Sequence, residues 1–294
     1  MLFPSLIENN SLVTGDGAMG SQLMARGLEA ETPGEIWNVE KPECVRAAHQ
    51  RYVSAGAQYL LTNTFGANPI VLARHGLEGR LEQIVRAGVE LARDVAGDDL
   101  AVLGDLGPSG GLLEPVGTLS RREVREGFER QIRALRDAGV DGIVAETFES
   151  GEELEIVLEL ATENCDLPLV ASMKFNAEDS GRYRSIMGDG PERVAELGER
   201  FDLAVVGTNC GEGIESMVGA VEQITQHTDR PVIAQPNAGK PRLVDGETVY
   251  DQDAAFFARY LPALYDAGAK IIGGCCGTTA AHIHAIRSMA DTLE

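Results

Sequence analysis

The sequence lacks the features of proteins that act on nucleic acids or membranes. Its 294 residues carry 25 Lys and Arg against 46 Asp and Glu, a formal net charge of −21, and no basic cluster is present to attract phosphate groups. No apolar run approaches the roughly 20 residues of a membrane-spanning helix. The first residues lack the basic segment, the long apolar segment and the cleavage site of a signal peptide. We therefore expect binding to neither nucleic acid nor membrane.

Cysteine is also scarce. The five cysteines are an odd number, and two of them, Cys275 and Cys276, are adjacent. Secreted disulfide frameworks are typical of short chains with an even number of cysteines, so this pattern favours reduced thiols and a cytoplasmic protein. The chain is 44% hydrophobic and 24% charged, which is an ordinary globular composition. Because no Pro/Ser-rich linker divides it, we predict one domain over residues 1–294.

Short runs of Val, Ile and Leu alternate with longer amphipathic segments along the chain. This alternation predicts βα units and a parallel sheet. The predicted strands span 12–15, 58–63, 100–105, 142–147, 167–173, 203–208, 231–235 and 269–274. The predicted helices lie near 42–55, 80–96, 121–138, 151–164, 191–200, 214–226, 252–267 and 279–290. Eight βα units in about 290 residues match the size of a TIM barrel, so the predicted fold class is α/β, a single (β/α)8 barrel.

A doubly wound open sheet is the structural alternative. Its first strand is normally followed by a Gly-rich turn that leads into a helix. The segment DGAMGS, 16–21, resembles that turn only loosely, and no acidic ribose ligand follows at the expected distance. The barrel is therefore favoured, and its functional site is expected where the strands end.

Polar and thiol side chains follow most of the predicted strands at this end. They are Asp16, Asn63, Asp105, Glu146, Asn209, Cys210, Asn237, Cys275 and Cys276. Glu146 ends the apolar strand GIVA, where an acidic residue rarely lacks a partner, so a role in binding a cation is favoured over a surface position. Asp16, Asn63 and Asp105 either cap a loop or helix, or contact a substrate, and the sequence leaves both interpretations open.

The segment GGCCGTT, 273–279, is the sharpest local signal. Two thiolates on one tetrahedral zinc lie about 3.7 Å apart, and the adjacent Cys275 and Cys276 can supply that spacing at a strand end. Spacing does not show whether Cys210 joins them, but a barrel would bring it to the same rim, and a third thiolate would leave one position open, as in a catalytic zinc site. The alternatives are two cysteines in the core or a strained vicinal disulfide.

The same loop also permits a phosphate site. In many barrels the loops after strands 7 and 8 bind phosphate through backbone N–H groups, and Gly273, Gly274 and Gly277 can provide them. Thiols contribute nothing to such a site.

Four further residues that could carry chemistry are expected to be structural. Cys44 and Cys165 fall in or at the end of predicted helices, where a cysteine is usually a small buried hydrophobe. His282 and His284 lie two residues apart in the last predicted helix and do not share a face.

Seven segments together resemble the homocysteine S-methyltransferase family, in particular the homocysteine-binding barrel of cobalamin-dependent methionine synthase. They are TGDGAMGSQL (14–23), LTNTFGAN (61–68), GDLGPSG (104–110), DGIVAETF (141–148), GTNC (207–210), PNAGKP (236–241) and GGCCGTT (273–279). They occur in the order of the family and extend over nearly the whole chain. The resemblance implies a TIM barrel that transfers a methyl group to the thiol of homocysteine, giving methionine.

The resemblance also implies a ligand set for a metal ion. At the matching positions Cys210, Cys275 and Cys276 bind Zn2+, and Asn237 takes the fourth position when substrate is absent. Three thiolate ligands keep a zinc-bound substrate sulfur electron-rich, which suits alkyl transfer better than hydrolysis.

For the substrate, the resemblance implies that Glu146 receives the ammonium group of homocysteine. The segment around Asp16 and Gly17 corresponds to the loop that closes over the amino acid. Asn63 and Asp105 are further candidates for substrate contact.

The methyl donor is less determined. The PNAGKP form is similar to the cobalamin-dependent branch, but the folate, corrinoid and reactivation domains of that enzyme are absent from this sequence. We therefore expect a separate corrinoid protein to deliver the methyl group of methylcobalamin, and a stand-alone subunit rather than a fragment. The alternatives are S-methylmethionine or betaine as donor, another thiol as acceptor, and a zinc- or thiol-binding accessory module of a corrinoid complex that has no activity alone.

Overall fold

The computed structural model describes residues 2–29, 31–244 and 247–293. Within them, eight parallel strands form a nearly closed barrel. The strands are β1 (Val13–Thr14), β2 (Tyr59–Leu61), β3 (Ala101–Leu106), β4 (Gly142–Phe148), β5 (Leu169–Met173), β6 (Val205–Cys210), β7 (Val232–Pro236) and β8 (Ala269–Ile272). The predicted α/β barrel is confirmed, and each strand begins and ends within two residues of its predicted bounds.

Eight longer helices alternate with these strands. They are α1 (Pro42–Ser54), α2 (Leu81–Ala96), α3 (Arg121–Ala138), α4 (Gly151–Asn164), α5 (Pro191–Arg200), α6 (Ile214–Thr225), α7 (Ala254–Asp266) and α8 (Ala280–Ala290). Local signals fix their ends. Ser120 and Glu123 form a reciprocal capping box at the start of α3, and Gly139 ends that helix with a left-handed φ of 85°. Among the described residues, no helix combines the length and apolar character needed to cross a bilayer.

The seam between β1 and β2 is joined largely by side chains. Gln58 donates its backbone N–H to the Thr14 carbonyl at 2.9 Å, and its side-chain oxygen accepts from the Thr14 N–H at 2.8 Å. Further along, Asp16 Oδ2 accepts from the Leu61 N–H at 2.9 Å. Asp16 therefore contributes to the closure of the barrel at its C-terminal end.

Several short elements were not predicted, because they contain too few residues to show a period. Most belong to loops at the C-terminal end of the barrel. They are the helices Gly20–Met24, Trp37–Glu40 and Pro69–Ala73, the hairpin of Asn176–Ala177 with Tyr183–Arg184, and the hairpin of Arg242–Val244 with Glu247–Val249.

A helix at the chain start, Leu2–Asn9, seals the opposite end of the barrel. Phe3 is fully buried and packs edge-on against Tyr59, with ring centroids 5.6 Å apart. Both belong to one apolar cluster with inward-facing strand residues, which include Val13, Leu103, Val144, Val205, Ile233 and Ile271. These described residues therefore fill the barrel interior at its N-terminal end, which leaves the C-terminal end for a site.

This packing predicts a stability difference between two neighbouring residues. Phe3→Ala should lower the free energy of unfolding by about 3–5 kcal/mol, because it removes a fully buried ring. Leu2→Ala is the matched control, since Leu2 is 43% exposed, and it should change stability by less than about 0.5 kcal/mol. Urea unfolding followed by circular dichroism measures both, and equal midpoints would contradict the sealing role.

Candidate metal and substrate site

A cavity of about 260 Å³ lies at the C-terminal end of the barrel. Its walls come from the ends of several strands and from the loop after β1. The sequence-predicted residues that line it are Asp16, Gly17, Asn63, Asp105, Glu146, Cys210, Cys275 and Cys276. Asn237 lies beside it, in hydrogen-bond contact with Cys210. The structure therefore brings the whole predicted set together.

Three of these residues form a compact sulfur cluster. The Sγ atoms of Cys210, Cys275 and Cys276 all lie within 4.8 Å of one another. Thiolates that share one tetrahedral zinc are about 3.7 Å apart, so small side-chain movements suffice for all three to bind one ion. All five cysteines of the chain are free, which does not support the vicinal disulfide. The donor set fits a metal that prefers sulfur ligands.

Backbone hydrogen bonds at the end of β7 set the spacing of the cluster. Cys210 lies opposite Pro236 in the parallel pairing of β6 with β7. The Cys275 N–H donates to the Pro236 carbonyl at 2.9 Å, and the Ala238 N–H donates to the Cys276 carbonyl at 2.9 Å. The two cysteine segments are therefore held by a strand that lies between them.

The cluster favours a negative charge. Hydrogen bonds from Cys275 and Cys276 hold the pKa of the Cys210 thiol well below its usual range. The same contacts with Cys210 raise the pKa values of Cys275 and Cys276. Lys174, which pairs with Glu149 at 2.8 Å, adds a positive charge that further favours the Cys210 thiolate. Of the three thiols, Cys210 is therefore the one whose surroundings most favour the thiolate form.

Asn237 has an oxygen available to a ligand. Its Nδ2 donates to the Gly211 carbonyl at 2.8 Å and to Cys210 Sγ at 3.5 Å. Its Oδ1 is buried and has no hydrogen-bond partner within the described residues. An unpaired amide oxygen beside the sulfur cluster is compatible with a fourth ligand.

The phosphate site proposed for the same loop is not formed. The Gly273 N–H donates to the Ala234 carbonyl at 3.0 Å, and the Gly274 N–H donates to the Asp16 carbonyl at 2.9 Å. The Gly277 N–H donates to Ser21 Oγ at 3.1 Å. These N–H groups connect β8 to its neighbours and are not directed to an anion.

Three buried carboxylates face the cavity without a protein cation. Asp16, Asp105 and Glu146 each have one oxygen without a hydrogen-bond partner in the described part of the chain. Burial raises all three pKa values, that of Glu146 to about 7, and charge repulsion within the site adds to each shift. No Lys, Arg or His is found among the described residues that line the cavity. A cationic group of a ligand is therefore the natural partner for these carboxylates.

Asn63 has a structural task besides lining the cavity. Its Nδ2 donates to the Gly34 carbonyl at 3.0 Å and to Asn38 Oδ1 at 2.8 Å. It therefore ties the loop after β1 across the rim.

Sequence reasoning missed Glu35, which belongs to the same loop and lines the cavity. Its Oε1 accepts from the Gly66 N–H at 2.6 Å, and burial raises its pKa. Glu35 does not follow a predicted strand, so no pattern marked it. The apolar part of the wall was also missed, because apolar side chains carry no chemical signal in the sequence, and it includes Met19, Met24, Leu28 and Phe65.

The residues predicted to be structural lie outside the cavity lining. His282 bonds the Gln252 carbonyl through Nε2 at 2.9 Å and caps α8 with Thr279. Cys44 and Cys165 pack against the core but are only partly buried, so the prediction of buried cysteines was wrong in degree. Both lie on the outer helical layer, where one side of a helix faces solvent.

A model of the homocysteine S-methyltransferase family matches residues 13–290. The chain belongs to this family. The family resemblance predicted from the sequence is therefore confirmed.

Two relatives illustrate the match. The homocysteine S-methyltransferase of Escherichia coli is 32% identical over 97% of each chain. The methionine synthase of Mycobacterium tuberculosis is 30% identical over 98% of this chain, which spans only 25% of that relative's length. Among solved structures, the metallated form of the homocysteine methyltransferase MmuM from Escherichia coli superposes with a TM-score of 0.81 at 28% identity. The superposition covers 97% of this chain and 98% of that one.

The sulfur cluster predicts which cysteines hold metal. Serine at Cys210, Cys275 or Cys276 removes one sulfur ligand and should reduce bound metal from about one ion per chain to a small fraction after dialysis against a chelator. Cys44→Ser and Cys165→Ser are matched controls and should keep the ion. Elemental analysis of the dialysed proteins measures this, and equal metal content in all five variants would exclude the cluster as the site.

Proposed function

We propose that this protein transfers a methyl group to the thiol of homocysteine, forming methionine, at a Zn2+ ion held by Cys210, Cys275 and Cys276. The observation that carries the proposal is the presence of a three-sulfur cluster and unpaired buried carboxylates in one cavity. Three thiolates favour zinc among common metals and leave one position for a substrate sulfur. Free thiolates need a reducing compartment, which supports a cytoplasmic location.

The charged side chains of the protein supply most of the chemistry that we propose. Zinc, when bound, keeps a coordinated thiol deprotonated at neutral pH, where a free thiol with a pKa near 8.5 is mostly protonated. The three cysteine thiolates place negative charge on the site, which keeps the acceptor sulfur electron-rich. Asn237 lies next to Cys210 and has an unpaired side-chain oxygen, which would serve as an exchangeable ligand to the metal when no substrate is bound.

The carboxylates orient the acceptor. Glu146 and Asp16 bind its ammonium group through charge-assisted hydrogen bonds in a desolvated pocket. With the ammonium group fixed there, the thiol of a short amino acid can reach the cysteines that line the same cavity, and the attacking sulfur is pre-positioned. Asp105, which also has a buried unpaired oxygen, contributes to the same negative environment.

The proposed donor is methylcobalamin carried by a separate corrinoid protein. The PNAGKP segment, 236–241, and the match to methionine synthase support this donor. A second candidate is a small free donor such as S-methylmethionine or betaine. It is favoured by the end-to-end match to a homocysteine S-methyltransferase, 97% of each chain.

Substrate recognition is tested by Glu146→Gln. The change keeps the shape of the side chain but removes its charge, and it should weaken homocysteine binding on the order of 30- to 1000-fold. Zinc content should not change, because Glu146 is outside the sulfur cluster. Calorimetry with the zinc-loaded protein measures the affinity. 2-Mercaptoethanol, which has no ammonium group, is the control ligand and should bind both proteins equally weakly.

Two outcomes would defeat this assignment. If Glu146→Gln binds homocysteine as tightly as the parent, another residue binds the ammonium group, and Asp16 is the next candidate. If the variant instead loses zinc, the Glu146 carboxylate supports metal binding rather than substrate binding.

The donor is tested by parallel incubations of the zinc-loaded protein with homocysteine and isotopically labelled methylcobalamin, S-methylmethionine or betaine. Labelled methionine, measured by mass spectrometry, should form with methylcobalamin. It should form faster with a methylated corrinoid protein, because docking supplies orientation. A comparable rate with S-methylmethionine alone would favour the second candidate.

A further inference from the structure

Asn209, the residue before Cys210 on β6, is fully buried below the cavity. Its side-chain amide uses all four of its hydrogen-bond positions. Oδ1 accepts from the Thr147 N–H and from Ser172 Oγ, both at 2.8 Å. Nδ2 donates to Thr147 Oγ1 at 2.6 Å and contacts Cys275 Sγ at 3.9 Å. One amide therefore connects β6 to residues of β4, β5 and the loop after β8.

The contact with Thr147 controls the backbone next to Glu146. Thr147 has a φ of 66°, a left-handed conformation that β-branched residues rarely adopt. The pairing of β4 with β5 shifts register between Ala145 and Phe148, so Glu146 and Thr147 form a bulge. Bulges beside active sites re-aim a side chain, and here the re-aimed side chain is a carboxylate that lines the cavity. Asn209 bonds both the N–H and the hydroxyl of Thr147 and so holds this bulge in place.

The contact with Cys275 links Asn209 to the sulfur cluster. An N–H group directed at a thiolate stabilises its charge and fixes its direction, as do the outer partners of other metal ligands. Asparagine suits this place because it offers two donors and two acceptors on a short side chain. Aspartate has the same shape but no N–H groups.

We propose that Asn209 is a positioning residue that fixes the distance between the Glu146 bulge and the sulfur cluster. The inference rests on the proposed function. A fixed distance selects an amino-acid thiol of one length, so that homocysteine spans from the carboxylate to the metal whereas cysteine, one methylene shorter, does not. Asn209 thereby determines specificity without touching the substrate.

The test measures the affinities of the zinc-loaded protein for L-homocysteine and L-cysteine by calorimetry. In Asn209→Ala and Asn209→Asp, homocysteine affinity should fall by about 10- to 100-fold, while cysteine affinity changes by less than about threefold, so that selectivity falls. Zinc content should stay near one ion per chain. Ser172→Ala is the matched control, because Ser172 bonds the same Oδ1 but neither Thr147 nor the cysteine, and it should keep the selectivity of the parent.

A second variant separates positioning from stability. Asn209→Ala with Thr147→Gly relieves the left-handed strain, since glycine adopts positive φ freely. It should regain thermal stability but not selectivity. Unchanged selectivity in Asn209→Ala, an equal loss in Ser172→Ala, or recovery of selectivity with glycine would each overturn the proposal. A parent protein that binds no homocysteine would instead refute the proposed function itself.

Discussion

Backbone pairing on both sides of β7 is the interaction on which the site depends. Cys210 lies opposite Pro236, and Cys275 donates its N–H to the same residue's carbonyl. Residues that are distant in sequence are therefore held by the sheet at a spacing that three thiolates can share. Backbone pairing alone thus brings the three sulfurs together, in contrast to zinc fingers, whose folding depends on the metal.

The same barrel concentrates negative charge where water is scarce. Apolar side chains fill the interior below the site, and the helix Leu2–Asn9 seals the far end. Asp16, Asp105 and Glu146 lie above this packing and have no cationic side chain beside them in the described lining. Isolated buried carboxylates are costly, so burial raises their pKa values and a cationic group beside them would favour the charged forms. In the proposed function, the sulfur cluster attracts the metal ion and the carboxylates attract the ammonium group of the amino acid, both within one cavity.

Much of this arrangement could be predicted from sequence because parallel strands are buried on both faces. Their continuous apolar runs mark where each strand ends, and a barrel brings all those ends to one rim. This is why Glu146 and the three cysteines could be placed together before the structure was known. The domain boundaries and the ligand roles themselves stay predictions.

Features that depend on contacts between segments distant in sequence could not be predicted from the sequence. Glu35 gains its place from the Gly66 N–H, a partner outside its own loop. The glycines of GGCCGTT suit a phosphate loop by sequence, but their N–H groups bond to Ala234 on β7 and to Asp16 and Ser21 after β1. Asn209 appeared only as one more polar residue after a strand, because its importance comes from three elements that meet around it.

Asp16 carries a consequence for protein engineering. One of its oxygens joins β1 to β2 through the Leu61 N–H, and the other faces the cavity unpaired. A substitution of Asp16 meant to alter the acceptor would therefore also remove a bond that joins β1 to β2. Asp105 has no side-chain bond of this kind among the described residues. Redesign of the acceptor range is better begun at Asp105, where the chemistry of the pocket can change while the closure of the barrel is kept.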